Sequence, residues 1–508
     1  MNPPRSNPPT RRLDQVLADA AGRHGDRLAV IDETESLTYR QLDERVTALA
    51  RELTRHGVGP GSRVGVHAPR GITAVTALYA VLRAGAVAAP LDPADPPARL
   101  ARTVRGSGLH FLASAAPARA AEAAALLGRT APPTDLGGLS LLPVAAETAG
   151  DLALDGGYIF STSGSTGTPK GVLLSHENVL HFADWAARTL GLRAEDRVGA
   201  QAALTFDLST FDLYSSALAG AAVHLMPERL TAFPADVAGW LREHEISVLY
   251  AVPTLYRLLR RTGLLTGRTA PHLRLFAFAG EPLPPDLLAW YLAGFPGASC
   301  HNLYGPTETN VCTAAHFPPG STVGDTVPIG RAVEGVHTVV LDPHGRPARR
   351  GELHVAGPTV LRGYLVDGEL RDPTREVRFA DGVTRRAYPT GDLAETGDDG
   401  RLLLLGRADD QVKRRGHRID LRDVESALRE AAAPEACAVV AKRGPHEGEI
   451  WAYVVGAESE RQVLTALAGV LPRRMLPDRI VLTDRLPVSG HGKVDRRELA
   501  ELASTEGA

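Results

Sequence analysis

What the chain lacks narrows what it can be. Lysine is nearly missing: Lys170, Lys413, Lys442 and Lys493 are the only ones, and arginine supplies the other basic side chains. A GC-rich coding sequence explains that scarcity but not where the survivors stand. Lys170, Lys413 and Lys493 lie in Gly- or Arg-rich stretches, places to look for chemistry that needs a compact ammonium rather than a guanidinium. The three cysteines, Cys300, Cys312 and Cys437, have no metal-like spacing and suit a reducing, cytoplasmic setting. No apolar run approaches a membrane span. The Pro/Arg/Asn-rich start, residues 1–12, has no apolar core, so it reads as neither signal peptide nor anchor. A basic excess is missing as well. A net charge of −3 offers no field for nucleic acid.

What is present describes a globular protein with more than one core: 508 residues, 44% hydrophobic and 23% charged. Helical and strand patterns alternate from Leu13 to Leu292, and the strands are apolar throughout rather than every second residue. That pattern predicts helix-flanked, mostly parallel sheets. From about Val327, Gly-rich turns between short runs predict an antiparallel β subdomain. A final α+β segment follows. The expected organisation is therefore α/β: a large N-terminal domain over 1–408 and a small C-terminal domain over 409–508. The stretch 128–157 reads as a loop-rich connection.

The chain is organised around Ser161–Val172. A strand signal, Tyr158–Phe160, enters a run made of Ser161, Thr162, Ser163, Gly164, Ser165, Thr166, Gly167, Thr168, Pro169 and Lys170. Small residues let backbone N–H groups close on an anion, hydroxyls add donors, and the lysine adds charge. Such runs are often flexible linkers. The preceding strand and the helix start near Ser175 favour a phosphate loop, although it does not fit the Walker pattern.

Further motifs follow in order: Leu37–Leu42, Leu82–Ala86 with Pro90-Leu91-Asp92, Asn302–Glu308, Gly351–Leu353, Arg362–Leu365, Tyr388–Leu393, Gly406–Asp409, Gln411–Glu425, Leu471–Pro477 and Gly490–Arg496. Together with the loop, this set resembles the adenylate-forming (ANL) superfamily: acyl-CoA synthetases, luciferases and nonribosomal peptide synthetase adenylation domains. The resemblance covers nearly the whole chain. It implies an ATP-dependent enzyme, Mg²⁺ as cofactor, and a mobile C-terminal domain.

Carried over residue by residue, the resemblance places ATP against Ser161–Gly167, Lys170, Asn302, Tyr304, Gly305, Thr307, Asp392 and Arg407. Asp392, in a Thr-Gly-Asp turn, would accept the ribose hydroxyls; alone, such an Asp is usually turn-stabilising. Glu308 follows a tight turn at a strand end, where α/β crevices lie, and a hard carboxylate there suits Mg²⁺. Tyr304 offers a flat face for adenine. Lys493 would bridge the reacting carboxylate and the phosphate, two anions whose approach needs neutralising charge. Asp409 matches the interdomain hinge, and Gly416 the position lining the pantetheine tunnel.

The segment Phe206–Asp212 addresses the substrate. Family members that activate α-amino acids carry an aspartate at the position of Asp207, which pairs with the substrate ammonium. Capping of the next helix is the alternative use of Asp207, and Asp212 suits that task equally. By family position, the side-chain pocket would be lined by Leu208, Phe211, Tyr250, Ala277, Ala279, Leu303, Val311 and Cys312. No charge lies among them, and Phe211, Tyr250 and Leu303 fill space. A small apolar amino acid is expected, alanine first, as in the similar D-alanine–carrier-protein ligases. A β-amino acid, an aminoacyl group already on a carrier, or a same-fold acyl-CoA synthetase stay open. No attached carrier domain is expected, so the expected acceptor is the phosphopantetheine thiol of a separate carrier protein. Arg414-Arg415 and Arg473-Arg474 could meet an acidic carrier.

Overall fold

The computed structural model describes residues 11–144, 156–162, 169–408, 411–414, 417–431, 435–441, 448–487 and 494–505. Among the described residues, the N-terminal part is built from two nine-stranded sheets and a five-stranded one. In one large sheet a parallel centre runs Ser299–Tyr304, Leu275–Phe278, Val248–Ala251, Arg197–Ala200, Ala222–Leu225, Leu28–Ile31. In the other, Gly157–Thr162, Val87–Leu91, Arg63–His67 and Phe111–Ser114 are parallel. Antiparallel strands flank both centres. Val87–Leu91 is buried along its whole length, as a strand covered on both faces must be.

Helices cover these sheets and start where the sequence signals them. Thr38 caps Tyr39–Arg55 through a reciprocal box with Gln41, and Ser175 caps His176–Thr189 the same way with Asn178. The five-stranded sheet is antiparallel, centred on the long strand Thr384–Thr396, which pairs with Arg350–Ala356, Arg375–Arg378 and Leu402–Arg407. The small C-terminal domain holds the hairpin Gln411–Arg414/His417–Asp420 and a three-stranded sheet of Glu435–Val440, Ile450–Val455 and Arg479–Thr483. The helices Leu421–Ala431, Glu460–Ala468 and Arg496–Thr505 belong to the same domain.

The structure departs from the sequence reading in three places. The stretch read as a loop-rich connection contains Thr134–Asp135 and Ser140–Pro143, which extend a sheet edge. Gly363–Val366 and Glu369–Arg371 leave the β subdomain and join the large sheet beside Lys170–Leu174. The helix after Asp207 opens with a π-helical turn, Phe211–Ser215. The first two are edge pairings made with distant partners. No described helix is long and apolar enough to cross a membrane.

Candidate active site

Strands of both large sheets end on one cleft. It is lined by Leu91 and Asp92 after Val87–Leu91, by Ser161 and Thr162, and by Thr205–Leu208 after Arg197–Ala200. Tyr250, Ala279, Gly280 and Gly305–Thr307 complete its floor, with Arg407 at the rim and Ile419, Arg474 and Met475 from the small domain. A crevice at the carboxyl ends of parallel strands is where α/β folds bind ligands.

On one side, Asp207, Leu208, Tyr250, Ala279 and Val311 line the cleft. Asp207 is buried and sits on a tight turn. Its carbonyl accepts from the Thr210 N–H at 3.0 Å and the Thr210 hydroxyl at 2.6 Å. Phe211, Ala277, Leu303 and Cys312 do not reach the cleft surface. They are fully buried behind it in the same apolar cluster, and Phe211 packs edge-on against Tyr250 with ring centroids 5.0 Å apart. Burial, then the charges of Asp207 and Asp212, push the Tyr250 phenol well above its ordinary range. Asp212 is no helix cap. It lies inside the π-helical turn, its Oδ1 has no hydrogen-bond partner, and burial holds its carboxyl far above the usual range.

Sequence reasoning missed Asn310, which lines the cleft from a left-handed backbone (φ 48°). Asn tolerates that conformation, so Thr309-Asn310 after the Tyr-Gly-Pro-Thr turn was the available signal. Gly305 is demanded by the same turn: a Cβ there would lie 1.5 Å from the Asn310 carbonyl oxygen.

An adjoining groove runs between Gly280–Pro285 and Asn302–Gly305, with Leu303 and Leu404 in its wall. Gly280-Glu281 was also missed. A Gly-Glu-Pro turn following the strand Leu275–Phe278 was its signal, and Gly280 takes φ 85°. Asn302 donates to the Pro328 carbonyl at 2.9 Å. The buried carboxylate of Asp392 accepts from the Tyr304 hydroxyl and from Arg407 Nη1, both at 2.6 Å, one on each oxygen. Asp392 and Arg407 are cross-strand partners, and Arg407 Nη2 also reaches Gln411 Oε1 at 3.1 Å. Burial and the Asp392 charge raise the Tyr304 phenol well above its ordinary range.

Glu308 is buried and accepts from the Tyr364 hydroxyl at 2.7 Å, which in turn meets Tyr388 at 2.8 Å. Lys170 Nζ lies 5.4 Å from the Tyr364 ring centroid, a cation–π distance. Lys170 is brought there by pairing opposite Thr162 across the loop. The displaced strand Gly363–Val366 thus links Lys170 to the Glu308 carboxylate through Tyr364. Among the described residues no group of three or more metal-ligating side chains occurs. One buried carboxylate, with Tyr364 and Lys170 nearby, fits Mg²⁺, which takes one or two protein carboxylates and completes its shell with phosphate and water. Ser163, Gly164, Ser165, Thr166, Gly167, Asp409, Gly416 and Lys493 lie outside the described residues.

A family profile for the AMP-binding enzyme matches residues 17–365, and one for the AMP-binding enzyme C-terminal domain matches residues 423–493. An L-proline–[L-prolyl-carrier protein] ligase of Pseudomonas fluorescens is 35% identical, over 96% of this chain and 98% of its own. A protein of the same name from Streptomyces coelicolor is 36% identical over 96% of each chain. Among solved structures, the Vibrio cholerae adenylation domain AlmE in complex with glycyl-adenosine-5′-phosphate matches 100% of both chains at a TM-score of 0.80. Its 24% identity makes this a likeness of fold. With a profile match over more than half its length and this cleft at the strand ends, the chain belongs to the family of AMP-binding, adenylate-forming enzymes.

Proposed function

We propose that the protein activates a small apolar α-amino acid with ATP and delivers it to the phosphopantetheine thiol of a separate carrier protein. The observation that carries this reading is Asp207: a buried carboxylate on the apolar wall of the cleft that also holds Ser161 and Thr162 of the phosphate loop. A buried carboxylate suits an ammonium partner, and the apolar wall beside it suits a small side chain. Alanine is our first candidate from the space left by Phe211 and Tyr250. Proline, which two relatives are named for, is larger than alanine but also small and apolar, and keeps a charged nitrogen for Asp207.

In the first step, a substrate carboxylate oxygen attacks the α-phosphorus and the bond to pyrophosphate breaks. Lys493 neutralises the two approaching anions. Asp392 and Arg407 would hold the ribose, whose hydroxyls would donate to Asp392 in place of the Tyr304 hydroxyl. The groove between Gly280 and Asn302 takes the base. Glu308 would hold Mg²⁺, which when bound supplies charge neutralisation to the phosphates. In the second step, the thiol sulfur attacks the acyl carbon, AMP leaves with the bonding pair, and the thiol proton is lost. The small domain turns about Asp409 between the steps, and Gly416 lines the thiol's path. Three buried cysteines, none in a disulfide, suit a cytoplasmic setting.

Amino-acid-dependent ATP–pyrophosphate exchange across L-alanine, D-alanine, L-proline, glycine, β-alanine and larger amino acids tests this. Exchange with the small apolar members is expected. A response to large or charged amino acids alone overturns the pocket reading, and AMP formation only with a non-amino acid and CoA favours an acyl-CoA synthetase. Lys493→Ala should lower exchange by about 100-fold or more while ATP still binds. An unchanged rate would refute its role.

A further inference from the structure

The seam between the two domains is held by charge. Arg474, in the short 3-10 turn Arg473–Met475 of the small domain, places Nη1 2.7 Å from Asp92 Oδ2 and 3.8 Å from Asp95 Oδ1. Asp95 Oδ2 lies 3.5 Å from Arg99 Nε, one helical turn away. Farther out, Arg102 donates to the Val470 carbonyl at 2.7 Å and lies 3.9 Å from Glu430. Apolar packing does not take over this task. Among the described residues, the hydrophobic clusters of the small domain draw only on its own side chains.

The charged cluster is incompletely satisfied. Asp95 and Arg99 are both buried, yet Asp95 Oδ1 and Arg99 Nε have no hydrogen-bond partner. Burial lowers the Arg99 pKa to about 10 and raises that of Asp95. Desolvation therefore cancels much of the Coulomb attraction, as it does in buried ion pairs generally. A seam without apolar glue, closed by ion pairs of small net strength, sets an orientation without making it permanent. The cluster lines the same cleft as Asp207. In this orientation Ile419, on the hairpin Gln411–Arg414/His417–Asp420, lines the cleft beside Arg474 and Met475, and the family position for the thiol's path falls between the two strands of that hairpin.

We propose that Arg474, docked on Asp92 and Asp95, is the positioning residue that selects this domain orientation, and that the orientation serves thioester formation. The second half rests on the two-step reading above; the first half does not. Asp92→Asn keeps the Oδ1 that accepts from the Ala94 N–H at 2.9 Å and removes the charge. Arg474→Gln removes the other partner.

Two measurements on the full chain test the idea. The first is the ratio of aminoacyl-pantetheine formation, with free pantetheine as acceptor, to ATP–pyrophosphate exchange. Each single variant should lower this ratio about fivefold or more, and the double variant should be no worse than either. An unmoved ratio, a raised one, or additive losses overturn the proposal. The second reads orientation without catalysis, from spin labels at Glu122→Cys and Glu460→Cys, both exposed, the native cysteines being buried. One dominant distance is expected, and Arg474→Gln should broaden or shift it. An unaltered distribution refutes the docking role even where exchange fails. Absent exchange with an altered distribution refutes the proposed chemistry alone.

Discussion

Asp207 and Tyr364 show how single side chains act through their surroundings. Asp207→Asn keeps the shape of the cleft wall and removes the charge meant for the substrate ammonium. Loss of one partner of a buried charge pair costs about 2–5 kcal/mol. The amino acid KM in the exchange assay should rise by about 30-fold or more while that for ATP moves little. Parallel rises in both would argue for a structural defect. Tyr364→Phe deletes the hydroxyl between Glu308 and Tyr388 but keeps the ring beneath Lys170. About 1–3 kcal/mol of stability should be lost, because Glu308 and Tyr388 each lose a buried partner. The Mg²⁺ concentration needed for half-maximal exchange should change as well, because Glu308 loses the donor that orients it. Thermal melts and a Mg²⁺ titration measure the two effects separately.

The π-helical turn Phe211–Ser215 is the element that sets the depth of the pocket. Such turns insert one residue into a helix and are frequent at functional sites. Here the turn buries Phe211 behind the lining and edge-on to Tyr250, a contact worth roughly 0.5–1.5 kcal/mol beyond its area. Phe211→Ala should cost about 3–5 kcal/mol and open a cavity continuous with the cleft. Exchange should shift from small towards larger apolar amino acids. An unchanged preference with lowered stability would mean that Phe211 is core alone. The strand Gly363–Val366 acts at the same scale. By leaving the β subdomain for the large sheet it brings Tyr364 to the Glu308 carboxylate.

For the whole molecule, three buried histidines set a pH limit. Burial is the leading cause that takes the pKa of His67 and of His224 to about 4 and that of His301 to about 3, from an ordinary 6.5. Below pH 6.5 the unfolded chain binds protons that the folded chain refuses, so stability is full above that pH and lost as pH falls towards 4. The slope from these groups approaches about 4 kcal/mol per pH unit. Asp95 and Asp212, whose carboxyls are raised by burial, oppose it at the acidic end. Melting temperature should therefore drop between pH 6.5 and 5, and His224→Gln should flatten that drop by about a third. A melt independent of pH over this range would refute the assignment.

The amino-acid sequence by itself determined the alternation of helices and parallel strands, the capped helix starts and the positions of the motif residues. These are coded by local spacing: period, caps and turn residues a few positions apart. Asp207, Asp392, Glu308 and Lys170 could be named from it because the motifs that resemble the family's are themselves short local segments. Only the tertiary structure decided which residues of one apolar set face the cleft, as Leu208, Tyr250 and Val311 do, and which stand behind it, as Phe211, Ala277, Leu303 and Cys312 do. It alone put Asp212 inside a buried turn rather than at a helix cap, joined Tyr364 to Glu308, and set Arg474 on Asp92. Depth and pairing between segments far apart in the chain follow from the packing of sheets against one another. No spacing within a single segment records them.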